Sequence, residues 1–182
     1  MAITDNNELP FLIDLYQGYP KGDKLDDIIK HQTELGINNI YAVITKRSLF
    51  KLDETKLASK LIRFNKIAKE AAEQSNRQRV PMVCDIVKLD KINFDDYDLK
   101  LVCYEESAKN NELSNFKKAI KSIKPDMKVC VLIGPEGGLD EHEIKSLVDK
   151  GFILCGLGPR ILRTETASMY VLSAISYEWE LK

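Results

Sequence analysis

The residues best suited to chemistry stand in two loops that each interrupt an apolar run. Val131-Leu132-Ile133 is broken by Gly134-Pro135-Glu136-Gly137-Gly138. One helix and one short strand later, Leu157-Gly158-Pro159-Arg160-Ile161-Leu162-Arg163-Thr164-Glu165-Thr166 repeats the device. Glycine permits a sharp turn after a buried strand and leaves backbone amides and carbonyls open to a ligand. Taken alone, Gly-Pro-Glu-Gly-Gly is explained equally well by a tight strand-to-helix turn with no ligand. A phosphate cradle is a poorer reading, because neither G-x-G-x-x-G nor G-x-x-x-x-G-K-[ST] occurs and Glu136 would repel phosphate. The two segments in order are more specific. Two bent loops one βα unit apart meet at one edge of a parallel sheet, where open α/β proteins bind ligands.

The elements that must position these loops alternate along the chain. Apolar runs predict strands over 11–16, 40–44, 82–87, 99–104, 129–133 and 152–154. Leu25, Ile28, Ile29, Gln32 and Leu35 have helical spacing with a stop at Gly36, and a long helix spans 55–74. Leu113, Phe116, Ala119, Ile120 and Ile123 mark a helix ended by Pro125. Asp140 with Glu143 is a capping signature for a helix closed by Gly151, and the last helix covers 165–179. This order predicts an α/β fold, a mostly parallel sheet with helices on both faces, in one domain over 11–182. Residues 1–10 read as a disordered or loosely attached leader and 90–98 as an acidic loop.

At 182 residues the chain can bury a full core. No apolar run approaches membrane-spanning length, and no signal-peptide h-region opens the sequence, so no membrane partner is expected. The four cysteines, Cys84, Cys103, Cys130 and Cys155, form no C-x-x-C pair and read as free thiols in a reducing cytoplasm. With only His31 and His142, no metal site is expected.

Net charge is −1, yet residues 46–79 hold ten bases against four acids. Residues 56, 60, 63, 67, 70, 74 and 77 alternate in spacings of four and three, forming one helical stripe. It carries Arg63, Glu70, Gln74 and Arg77 beside the apolar seam Leu57, Leu61, Phe64, Ala68 and Ala71. A solvated helix face is the bland reading of such a run. The proximity of Arg and Gln to the seam favours contact with nucleic-acid phosphates and base edges, joined by Arg47. The last helix is apolar nearly all round, from Ala167 to Trp179, which predicts burial on both sides, against its own sheet and against a second subunit.

The two loop segments resemble the ribosomal RNA small subunit methyltransferase E family of knotted SPOUT methyltransferases. Gln17-Gly18-Tyr19-Pro20-Lys21-Gly22-Asp23-Lys24 and Glu70-Ala71-Ala72-Glu73-Gln74-Ser75-Asn76-Arg77 are similar to that family as well. The resemblance implies a deep C-terminal trefoil knot, a homodimer, bound S-adenosylmethionine and methylation of a uridine N3 in 16S rRNA. It implies that the knot loops are the segment after Tyr104, then 134–139, then 156–166. It also implies cofactor contacts at Leu132, Ile133, Gly134, Gly138, Leu157, Gly158, Leu162 and Thr166. Family members usually carry an N-terminal PUA-like RNA-binding barrel, whereas here the catalytic-domain motifs begin almost at once. Residues 1–10 are expected to be at most its remnant.

Removing a proton from uracil N3 builds negative charge on O2 and O4, which needs donors. Arg160 and Arg163 can donate and cannot act as bases. Glu136 and Glu165 are the nearest proton acceptors, although Glu165 would equally suit a helix N-terminus as a favourable charge. His142, in a first helical turn, reads as surface. Two rivals stay open: the same fold methylating a ribose 2′-hydroxyl, and a catalytically idle RNA-binding homologue.

Overall fold

A computed structural model describes residues 6–49, 54–104 and 114–181. Its strands are β1 (Leu12–Gly18), β2 (Asn39–Ile44), β3 (Met82–Lys88), β4 (Leu99–Cys103), β5 (Lys128–Ile133) and β6 (Ile153–Cys155). They form one sheet in the order β3-β2-β1-β5-β4-β6, and all five pairings are parallel. The helices are α1 (Lys24–Glu34), α2 (Glu54–Gln74), α3 (Asn115–Ser122), α4 (Glu141–Asp149) and α5 (Thr164–Glu180). The expected α/β order is therefore observed, with boundaries moved by one or two residues. Leu113 and the loop after Tyr104 lie outside the described residues, as do Met1 to Asp5, Lys51 and Asp53.

The two faces of the sheet are covered unequally. One large core joins Ile13, Leu15, Val129, Val131 and Ile133 to α1, α2, α3 and α5 through Ile28, Phe64, Phe116 and Val171. The other face is covered by α4 and the segment after β3, through Tyr16, Val102, Leu132, Phe94 and Leu147. That segment was expected to be an acidic loop. Beyond a short 3-10 turn, Leu89–Lys91, it is a loop, but one that buries Phe94, with Leu89 just before it. Its apolar residues are too widely spaced to signal an element, but each finds a pocket against the sheet.

Burial of the α2 seam follows the sequence pattern. Phe64, Ala68 and Ala71 are buried, and Leu57 and Leu61 pack against the same core. Arg77 does not share the fate expected of the stripe. Its side chain is 4% exposed and pairs with Glu8, at 6%. Its Nη1 donates to the carbonyls of Thr33 and Ile37 at 3.1 and 2.7 Å. The cation thus satisfies a carbonyl at the end of α1, where the helix dipole favours positive charge. Arg77 is a structural tie, held inside the fold and not on the solvated stripe.

The same pair corrects the reading of the leader. Glu8 also accepts from the backbone amides of Gln78 and Arg79, both at 3.0 Å. Leu9 is buried in the main core. Residues 8–10 are anchored, because one carboxylate and one leucine close the gap between α1 and the end of α2.

The last helix packs on its own core as expected. Val171, Leu172 and Ile175 are fully buried against the chain's own sheet, so a charge at Val171 or Ile175 would attack the fold before any subunit contact. The outward row of α5 is Tyr170 and Tyr177, 47% and 67% exposed, followed by Leu181 at 72%.

Candidate active site

The register aligns Gln17 with Ile133, Ile133 with Cys103, and Cys103 with Cys155. These four form the last rung of the sheet across β1, β5, β4 and β6. Residues of one parallel rung project to the same face, here the face packed by α5. Above Ile133, Cys103 and Cys155 lies a cavity of about 660 Å³ walled by the loops 134–139 and 157–164. That volume is typical of small-molecule sites. Burial pushes the Cys103 thiol pKa well up, and the neighbouring Cys155 adds to the rise. The Cys103 thiol is thereby kept protonated and serves as floor of the cavity rather than as a nucleophile.

In sheets of this kind the ligand crevice is expected where the strand order reverses, between β1 and β5. That crevice is shut. A Cβ on Gly18 would stand 2.3 Å from the Pro135 nitrogen, so only glycine lets the loop cross so close. Glu136 then accepts from the Lys21 amide at 3.1 Å and pairs with Lys24 at 2.8 Å. The cavity opens on the other side of β5 instead.

The loop 134–139 is held from three directions. Thr164 Oγ1 donates to the Gly134 carbonyl at 2.6 Å. Arg47 Nη1 donates to the Gly137 carbonyl at 3.2 Å. Lys24 reaches both Glu136 and, at 3.5 Å, Glu165 at the start of α5. Beyond the loop, α4 opens on the predicted capping box. Asp140 accepts from the His142 amide, and Glu143 accepts from the Asp140 amide. Glu143 also accepts from the Lys46 amide at 2.8 Å, which brings the loop after β2 to the rim.

The two candidate carboxylates are both engaged. Burial works to raise the Glu136 pKa. The hydrogen bond from Lys24 and those from backbone amides outweigh it, holding the carboxyl below its ordinary value of 4.5. A depressed carboxyl is a weak proton acceptor. Glu165 faces Lys24 and is not part of the cavity wall.

Of the expected cofactor positions, Ile133, Gly134, Gly138, Leu157, Gly158 and Leu162 line the cavity. Leu132 and Thr166 do not. Leu132 belongs to the core of the opposite face, and Thr166 is exposed on the first turn of α5. Of the cationic candidates, Arg47, Arg160 and Arg163 stand at the wall, all exposed. Arg63, Glu70 and Gln74 lie apart from it on α2, where Arg63 pairs with Asp26 and Glu70 with Lys66. His142 is exposed, as read. Sequence reasoning missed Cys103, Tyr104, Glu141 and Cys155 as wall residues and the buried pair Gln17 and Thr164. The only advance signal for that pair was that both stand inside the motif stretches.

Comparison with known proteins narrows the chemistry. The pattern of the RNA methyltransferase domain matches residues 7–176. The chain is 46% identical to ribosomal RNA small subunit methyltransferase E of Bacillus subtilis, covering 98% of this chain and 70% of that protein. It is 33% identical to the Synechocystis protein of the same name, over 96% of this chain but only 56% of that one. A Legionella pneumophila methyltransferase solved with bound S-adenosylmethionine superposes with a TM-score of 0.83 at 32% identity, covering 95% of this chain and 69% of that one. Ribosomal RNA small subunit methyltransferase E of Neisseria gonorrhoeae, also bound to S-adenosylmethionine, gives 0.77 at 31% identity, covering 97% and 70%. A matched domain pattern across nearly the whole chain and close identity to such relatives lead to one conclusion: the chain belongs to the ribosomal RNA small subunit methyltransferase E family of RNA methyltransferases.

Proposed function

We propose that the chain binds S-adenosylmethionine in the cavity above β4, β5 and β6 and methylates N3 of a uridine in 16S rRNA. The observation that carries the reading is the make-up of the wall. Apolar Ile133, Leu157 and Leu162 and the glycines Gly134, Gly138 and Gly158 offer a shelf and open backbone. Arg47, Arg160 and Arg163 stand in the same wall. A cofactor held by backbone on a strand edge and an anionic target held by arginines suit these two sets of residues.

Bound S-adenosylmethionine would supply an electrophilic methyl on a sulfonium. The chain's own residues do the rest by positioning. Arg160 and Arg163 donate to uracil O2 and O4, where charge grows as N3 loses its proton. With Glu136 and Glu165 both turned to Lys24, the arginines carry most of the activation, and the proton leaves toward solvent at the mouth. Arg63, Glu70 and Gln74 stay in the proposed RNA contact set, together with Arg47 at the cavity wall. The knot belongs to the same proposal, with α5 threaded behind the loop 134–139 to which Thr164 is bonded. So does a cytoplasmic site of action, supported by four free cysteines. Among the described residues there is no cluster able to hold a metal ion and no helix long and apolar enough to cross a membrane.

Calorimetry with S-adenosylmethionine, followed by mass spectrometry of digested 16S rRNA from unmodified small subunits, tests the reading. A methyl group on uracil N3 is the expected result. A methyl on a ribose 2′-hydroxyl would overturn the target assignment, and no cofactor binding would mark an idle homologue.

A homodimer through the outward row of α5 completes the proposal, because Tyr170 and Tyr177 leave large aromatic surface exposed. Replacing both by Glu should give a folded monomer by light scattering, where the parent chain gives a dimer. A parent chain of monomer mass at micromolar concentration would exclude this interface.

A further inference from the structure

We propose that Gln17 and Thr164 form a buried positioning relay that fixes the Gly134 carbonyl and so holds the cofactor loop in its binding geometry. The proposal rests on the cofactor reading above and concerns one fully buried residue, Gln17, and one at the edge of the cavity wall, Thr164.

The direction of the relay follows from donor and acceptor chemistry. A carbonyl only accepts, so the single hydroxyl proton of Thr164 is committed to Gly134 at 2.6 Å. The Thr164 oxygen must then accept, and it does so from Gln17 Nε2 at 2.7 Å. The second Nε2 proton goes to the Gly18 carbonyl at 3.1 Å. This leaves Gln17 Oε1 as a buried acceptor with no partner. Gln17 is fully buried and Thr164 nearly so. A position needed only for packing would be better filled by an apolar side chain of similar length, which strands no acceptor. What the glutamine gains in return is its pair of donor bonds.

Three distant stretches of chain meet in the relay: the end of β1, the first residue after β5 and the first residue of α5. Gly18, the relay's other acceptor, is also where the loop crosses against Pro135. The bonds of Lys24 and Arg47 restrain the loop from its exposed side, so the relay is its interior support. With its carbonyl fixed, the Gly134 peptide cannot rotate, and the backbone at the cavity wall is preorganised before any ligand arrives.

Thr164→Val keeps the shape and removes the hydroxyl; Thr164→Ser keeps the hydroxyl. Calorimetry well below the melting temperature should show S-adenosylmethionine about tenfold weaker for the Val variant, or about 1.4 kcal/mol. The Ser variant should stay within about threefold of the parent. In turnover, the apparent KM for S-adenosylmethionine should rise while that for RNA holds, a split that loss of stability alone would not produce. A folded Val variant with parental affinity, or a Ser variant as weak as Val, would overturn the relay while leaving the cofactor reading intact. A parent chain that binds no S-adenosylmethionine would overturn that reading instead, and the relay with it. If Thr164→Val does not fold, Gln17→Met tests the relay from its other end, with the same loss expected. Collapse of both variants would assign the pair a purely structural role.

Discussion

Gly158→Val should bind S-adenosylmethionine at least about a hundredfold more weakly than the parent chain, about 2.7 kcal/mol, while keeping its fold. Gly158 lines the cavity, and a Cβ added there would meet no protein atom within 4 Å. A valine would therefore stand in space proposed for the ligand without displacing the chain. Its φ of +109° is a conformation that side-chain-bearing residues rarely adopt, so a further cost of about 1–3 kcal/mol in stability is expected. Gly151→Ala separates the two effects. Its φ is also positive, at +84°, but it lies beyond the end of α4 and outside the cavity wall. Calorimetry should find that variant less stable and unchanged in affinity. A folded Gly158→Val with parental affinity would remove the cofactor from this cavity.

Arg77→Ala should lose about 3–5 kcal/mol of folding stability, because removing one partner of a buried ion pair leaves the other charge unpaired. For a chain of this size that is a fall of roughly 6–20 °C in Tm. The same variant should show little direct effect on RNA contact, the reverse of what the helical stripe suggested. The pair also sets a pH dependence. Burial tends to raise the Glu8 pKa, but Arg77 and the amides of Arg79 and Gln78 prevail and lower it from 4.5. A carboxyl lowered by folding stabilises the native state fully above its unfolded value, and the gain fades as pH falls through the folded value. Denaturant unfolding of the parent chain should thus weaken below about pH 4.5, and in Arg77→Ala that part of the slope should shrink. Equal stability of parent and variant at neutral pH would show the pair to be dispensable.

Strand and helix order was legible because each element carries its own period. So was the cavity's location, since two glycine-bent loops on successive βα units have only one sheet edge on which to meet. The fate of Arg77 was not legible. Helical spacing assigns a residue to a stripe but cannot say that the helix ends at Gln74 and the chain then turns Arg77 inward. Its partner, Glu8, lies 69 positions away in a stretch with no periodic signal. The relay of Gln17 and Thr164 was hidden for the same reason, with 147 positions between two polar residues that look exposed in sequence. Polar groups that are buried declare themselves only through their partners. The last helix was half legible: its apolar character was plain, but periodicity did not single out Val171 and Ile175 as the residues its own sheet would claim.

The rung that floors the cavity has a consequence for how the protein comes into being. Its residues beneath the cavity come from β5, β4 and β6, and two of the three wall arginines, Arg160 and Arg163, from the segment that follows β6. While the chain is being synthesised, β1 to β5 can pair before β6 exists, so a sheet can stand complete in all but its outer strand and still own no ligand site. Ligand that binds only the finished site stabilises only the finished site, by an amount that grows with its concentration over Kd. Cellular cofactor would then draw late folding intermediates forward, and chains lacking the last strand and helix would gain nothing from it.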